Sequence, residues 1–166
     1  MVPPWTYRAP PRTVLPVGEE VPVAVRIQVV IDTQHPARLA GFWAEALGYL
    51  PEPPPAGFTD WESCLRSEGV PEAEWDRYTA LVDPGGGGPR LLLQKVPEGK
   101  AVKNRLHLDL SVSGGREASP EERRRAIGRA AARLEGLGAS VLRPVEEPGS
   151  YWVVMQDPEG NEFCLH

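Results

Sequence analysis

Cysteine is scarce in this chain: Cys64 and Cys164 are the only two among 166 residues. Two thiols so far apart in sequence make no disulfide framework, and a reducing cytoplasm is the expected location. Long apolar runs are lacking as well. None approaches the roughly 20 residues a membrane helix needs, and no basic stretch followed by an apolar one opens the chain as a signal peptide would. Positive charge is in deficit, with 18 Lys and Arg against 23 Asp and Glu, a formal net charge of -5. That balance argues against a nucleic-acid backbone or an anionic membrane as main partner.

What is present is enough for one domain with a real core: 41% of the residues are hydrophobic. The 19 prolines and 17 glycines are clustered, so they punctuate structure and do not signal a disordered whole. Residues 1–22 hold Pro3, Pro4, Pro10, Pro11, Pro16 and Pro22 and show no period of 2 or 3.6. They read as an extended, partly disordered arm, with Trp5 and Tyr7 able to dock it on the body or on a partner.

Regular structure is expected from Val23. Val25 to Asp32 reads as a strand; Pro36 opens a helix with Leu39, Phe42, Trp43, Ala46 and Leu47 at helical spacing, and Gly48 stops it. Tyr49–Glu52 reads as a short strand, and residues 56–77 as an irregular loop with a short strand near Ser63. Tyr78–Asp83 and Arg90–Val96 form a hairpin about a glycine-rich turn. Asn104–Val112 is a strand with clean alternation. Ser119, Pro120 and Glu122 fit a capping box, and Ile127, Ala130, Ala131, Leu134 and Leu137 form one apolar stripe ended by Gly138. Ala139–Val145, Tyr151–Gln156 and Glu162–His166 are three further strands, the last two joined by the turn Asp157-Pro158-Glu159-Gly160-Asn161.

The order β-α-β-β-β is therefore written twice, module one over residues 23–97 and module two over 103–166. Arg26-Ile27-Gln28-Val29-Val30-Ile31-Asp32 lines up with Arg105-Leu106-His107-Leu108-Asp109-Leu110-Ser111. The fold class is α+β, with two βαβββ modules forming a curved mixed sheet, a cup with the helices outside. Alternation puts Arg26, Gln28, Val30 and Asp32 on one face, and Arg105, His107, Asp109 and Ser111 on the matching one. The opposite, apolar faces, Val25 and Ile27 or Leu106 and Leu108 among them, should cover the helices. The polar faces should line the cup.

The helix Phe42-Trp43-Ala44-Glu45-Ala46-Leu47-Gly48, the strand Asn104–Asp109 and the closing Asp157–Leu165 resemble the vicinal oxygen chelate superfamily, in its glyoxalase-like, bleomycin-resistance and dioxygenase-type domains. The resemblance covers residues 23–166 and implies a small-molecule ligand in the cup and a homodimer. It also implies a divalent metal (zinc, nickel, manganese or iron) at four positions that fall here on Gln28, Gln94, His107 and Cys164, with Glu162 as an alternative to Cys164. This set holds one imidazole, two amides and one thiol. Such donors weigh against tight metal binding unless a carboxylate such as Glu162 or Asp109 assists.

Two functions follow. In the first the protein binds and transforms a small organic molecule, as a lyase, isomerase or dioxygenase with a degenerate metal site. His107 is then the base, Gln28 and Gln94 orient or ligate, Arg105 or Arg26 offsets negative charge, and Asp109 assists. In the second it is a metal-free binder that sequesters a drug or metabolite against Trp61, Trp75 and Trp152. A purely structural or partner-binding role stays open as a third. Each residue also has a plainer reading: His107 as a hydrogen-bonded core histidine, Asp109 as an ion-pair partner of Arg105 or Arg26, Cys164 as a small buried apolar residue, Trp152 as core. Gly85–Gly88 is no phosphate loop, because neither a Lys-Ser/Thr pair nor a helix follows.

Overall fold

A computed structural model describes residues 25–166 of the chain. The expected arm at residues 1–22 lies outside the described residues, as do Val23 and Ala24. Module one begins with β1 (Gln28–Thr33) and α1 (Pro36–Leu47). Pro36 sits in the first helical turn, where its missing N–H leaves no bond unmade. Gly48, at φ 69, is the left-handed residue that stops the helix. β2 (Leu50–Pro51), α2 (Trp61–Ser67), β3 (Tyr78–Val82) and β4 (Arg90–Lys95) follow. Module two repeats the plan with β5 (Leu108–Leu110), α3 (Pro120–Glu135), β6 (Ser140–Glu147), β7 (Ser150–Gln156) and β8 (Glu162–Leu165).

Each module makes a four-stranded mixed sheet, in the order β1-β4-β3-β2 and β5-β8-β7-β6. In both, the first strand pairs in parallel with the last and the remaining neighbours are antiparallel. The result is a tandem βαβββ architecture with helices on one face of each sheet. No described helix is long and apolar enough to cross a membrane.

One apolar cluster joins the modules. Leu39, Ala40, Phe42 and Trp43 of α1 pack with Leu81, Leu91 and Leu93 of the first sheet; Ile127, Ala131 and Leu134 of α3 pack with Leu110, Val153, Met155, Phe163 and Leu165 of the second. The rings of Trp43 and Phe163 meet edge to face at 5.3 Å. A polar clasp reinforces this seam. Buried Asp157 accepts Nε1–H of Trp43 at 3.3 Å and holds its own turn through the backbone N–H groups of Glu159 and Asn161. Glu159 then accepts the Thr33 hydroxyl at 2.6 Å and the N–H groups of Gln34 and His35 at 2.9 and 3.1 Å. Gln34 and His35 lead into α1, so the carboxylate sits at the helix entrance. Burial alone would raise its pKa, but these three donors and the nearby His35 hold it below the usual value.

The structure corrects several expectations. Residues 61–67 form a helix, not a strand near Ser63, because the Asp60 carboxylate caps it by accepting from Ser63 N–H at 2.7 Å. The strand expected over 104–112 narrows to Leu108–Leu110. Its ladder partner, β8, begins at Glu162 just after a tight turn, so the residues before His107 have no strand to lie against. The same holds for Val25 to Ile27: pairing starts at Gln28 with Arg90, and Pro89 before it has no N–H. Val25, Ile27 and Leu106 accordingly do not cover a helix; they are 90%, 73% and 70% exposed. α3 begins with the expected Ser119–Glu122 capping box; its regular turns end at Glu135, and Gly138, at φ 100, closes it as expected, its N–H bonding to the Glu135 carbonyl and that of Ala139 to the Leu134 carbonyl.

The clasp gives a stability prediction. Glu159→Gln should cost about 1–3 kcal/mol, the worth of hydrogen bonds to a half-buried charge. The cost is read from the denaturant midpoint at neutral pH. Because Glu159 has a lowered pKa, its contribution is present above the ordinary glutamate range and fades as pH falls through the folded value, so wild type and variant should converge in acid. A parallel offset at all pH values would contradict this role.

Candidate functional site

Side chains on the face of each sheet turned away from the helices follow from the ladder register. In module one this open face is largely apolar. Val30, Leu92 and Ala80 stand side by side on β1, β4 and β3, flanked by Tyr78, Val82 and Leu50. Val30, Tyr78 and Leu50 are 47%, 48% and 55% exposed. A polar knot closes one end: Arg90 donates to Glu52 through Nε at 2.7 Å and Nη2 at 2.5 Å, and through Nη1 to the Gln28 side-chain oxygen at 2.6 Å. That bidentate pairing with Arg90 lowers the Glu52 pKa.

The open face of module two is more polar. Asp109, Cys164, Val154 and Arg143 are directly paired, one per strand, across β5, β8, β7 and β6. Glu162, Gln156 and Ser140 flank this row on one side, Trp152 and Val145 on the other. His107, one residue before β5, turns back so that Nε2 lies 3.2 Å from Asp109 Oδ1. One ligand atom each of His107, Asp109 and Cys164 falls within 4.8 Å of the others. Cys164 is 9% exposed, and its thiol is pushed up to about 11 by burial first, then by the charge of Asp109 and a hydrogen bond to it. Asp109 thus accepts from the thiol on one side and faces the imidazole on the other.

The candidates named from sequence are placed as follows. His107, Asp109 and Cys164 come together. Asp109 faces His107 and not Arg105 or Arg26, which are both exposed. Gln28 lies opposite Arg90, while Gln94 lies opposite Asp32, four residues further along the ladder or about 13 Å. The two amides therefore belong to different ends of the module-one face. Among the described residues no hydrogen bond or ion pair links either of them to His107. Glu162, the alternative ligand, is paired with Lys103, which lowers its pKa. Trp152 is half-buried on the module-two open face. Trp61 donates to the Glu52 carbonyl beside the Arg90 knot, whereas Trp75 packs locally, donating to Val70 under the Arg66 guanidinium. Two open clefts, one beside Val112–Glu122 and one beside Gln34–Arg38, lie outside these faces.

Sequence reasoning missed Arg90 and Glu52, although a lone Arg inside an apolar strand signals a partner. It also missed Arg143. A β-bulge between Val141 and Arg143 breaks the alternation there, and no residue pattern announces it.

The donor set of the cluster is one imidazole, one carboxylate and one thiol. That is a count and mixture suited to zinc with an open position, the carboxylate being the one the resemblance-based set lacked. A metal there would have to displace the thiol proton. The thiol itself should titrate near pH 11, and Asp109→Asn should lower that value, as read by thiolate absorbance against a Cys164→Ala blank. Stability linked to this proton is complete below the ordinary cysteine range and lost as pH rises toward 11. A thiol titrating at or below its ordinary value would contradict the geometry.

A model of the glyoxalase-like domain matches residues 28–166. No curated protein sequence matches the chain. Solved structures share the fold. A glyoxalase/bleomycin resistance protein/dioxygenase family enzyme from Burkholderia phytofirmans PsJN is 16% identical over 83% of this chain and 94% of its own, with a TM-score of 0.55. The fosfomycin resistance protein FosX from Listeria monocytogenes, a mutant form complexed with Mn(II) and dihydroxypropylphosphonic acid, is 8% identical over 87% and 92%, with a TM-score of 0.57. Lactoylglutathione lyase from Agrobacterium tumefaciens is 15% identical over 87% and 94%, with a TM-score of 0.51. With a family model covering nearly the whole described chain and the doubled βαβββ plan in place, the chain belongs to the glyoxalase-like domain family of the vicinal oxygen chelate superfamily.

Proposed function

We propose that the protein binds a small carbonyl-bearing organic molecule between its two open faces and moves a proton on it. The observation that supports this most is the contrast between the faces. Module one offers an apolar wall of Val30, Leu92, Ala80 and Tyr78, and module two offers His107, Asp109 and Cys164 in one group. An apolar wall holds a ligand body by excluding water, and a few convergent polar groups fix its orientation. His107 is the base: its imidazole is half-exposed and therefore reachable, and Asp109, 3.2 Å from its Nε2, orients it. A divalent ion held by His107, Asp109 and Cys164 would instead supply Lewis-acid polarisation of the carbonyl, with His107 then a ligand and not the base. Arg105 and Arg26, both exposed, are kept as groups that offset negative charge developing on the ligand.

A second reading has one observation in its favour. The Cys164 thiol keeps its proton up to about 11 and spends its hydrogen bond on Asp109. A cluster satisfied in that way suits a metal-free protein that sequesters its ligand, with Trp152 as the stacking surface.

The proposed partner is a second copy of the chain. β1 and β5 are both edge strands, and the exposed Val25, Ile27, Val102 and Leu106 lie just before them, so pairing would cover open ladders and apolar side chains together. A monomer in light scattering at micromolar concentration would remove this element. The proposal places the protein in the cytoplasm, in keeping with its two free thiols.

Naphthaldehyde, an apolar aryl carbonyl compound, tests the site. Its titration should quench tryptophan fluorescence in the wild type, and His107→Ala should weaken binding about tenfold or more while leaving the melting temperature unchanged. Identical titrations for wild type and variant would contradict the assignment.

A further inference from the structure

From the bulge in β6 we infer that Arg143 is the specificity-determining residue of the module-two face and that it selects a ligand carrying a carboxylate. The inference rests on the proposed binding face and narrows its ligand class. Val141 pairs with Met155, a fully buried core residue, so Val141 sits on the helix-facing side of the sheet. Regular alternation would place Arg143 on that same side, against α3. The extra residue at the bulge, Leu142, reverses the parity: Arg143 pairs with Val154, and through it stands in line with Cys164 and Asp109 on the open face. Bulges commonly re-aim a side chain next to a working site. After the bulge Pro144 pairs with the buried Val153 and Val145 with Trp152, so the new parity continues along the strand.

The other charges on this row and beside it are engaged. Asp109 is held by His107 and Cys164, and Glu162 by Lys103. Among the described residues the Arg143 guanidinium makes no hydrogen bond or ion pair; its effect is felt as a field at Glu162. A guanidinium fork matches a planar carboxylate in a bidentate way, and one positive charge balances one carboxylate, whereas a phosphate dianion would call for further cations. Three strand spacings separate the Arg143 backbone from that of Asp109, about 14 Å, and the arginine arm shortens the gap to that of a small organic acid. Trp152 lies one row away from Arg143 and offers a flat apolar surface to the body of such a ligand. The assigned arrangement has the carboxylate on Arg143 and the reacting end at His107.

The probes are naphthoate and its uncharged isostere naphthamide, titrated against the full chain by tryptophan fluorescence. The expected result is naphthoate binding about ten- to a hundredfold tighter than naphthamide. Arg143→Gln should bring that ratio near one without changing naphthamide affinity, and Arg143→Lys should keep part of it. A wild-type ratio near one, a ratio that survives Arg143→Gln, or no binding of either probe would overturn the inference. His107→Ala separates the two levels. If it weakens both probes while Arg143→Gln leaves the ratio intact, the binding face stands and the role of Arg143 fails. If it changes neither, the reading of the face itself has failed.

Discussion

Five residues in the turn before the last strand hold this molecule's two halves in register. Asp157 takes the indole N–H of Trp43, and Glu159 takes a hydroxyl and two backbone N–H groups at the entrance to α1. Both carboxylates are anchored in module two and both donor sets belong to module one. The same turn delivers β8, whose Cys164 carries part of the candidate site. Loosening the turn therefore acts on the seam, on the start of α1 and on the site together. The apolar contacts of Phe42 and Trp43 with Phe163 supply the bulk of the attachment, and the clasp sets its geometry.

With the seam in place, the duplicated plan has diverged by side chain. Position by position, Gln28 answers to His107 and Val30 to Asp109. In module one those positions became an amide tied to Arg90 and a valine in an apolar wall. In module two they became the imidazole and carboxylate of a single polar group. One backbone pattern thus yields an apolar face in one module and a polar group in the other, and the fold alone assigns a function to neither.

Much of this was legible in the sequence, and the failures have physical causes. The strands with regular partners, such as Tyr78–Val82 with Arg90–Lys95, were readable from alternation, and both long helices announced their starts through proline and, in α3, the Ser119–Glu122 box. The α2 helix was not read because its seven residues show too little period, although Asp60 three positions before Ser63 was its cap. The ends of β1 and β5 were overextended because alternation reports what a strand prefers, while pairing depends on where its partner begins. His107, Asp109 and Cys164 were each named from sequence, and alternation already put His107 and Asp109 on one face, whereas the pairing of Asp109 with Cys164 depends on the register of β5 on β8. Arg143 depends on a bulge that follows from tertiary packing alone.

The claim on which the account turns is that His107, Asp109 and Cys164 act as one centre. Cobalt(II) titration of the metal-free protein addresses it directly, since a cobalt–thiolate bond has its own near-ultraviolet charge-transfer band. The account predicts that band saturating at one equivalent of metal, absent in Cys164→Ser and weakened in both His107→Ala and Asp109→Asn. No band in the wild type, or a band that persists in Cys164→Ser, would contradict it.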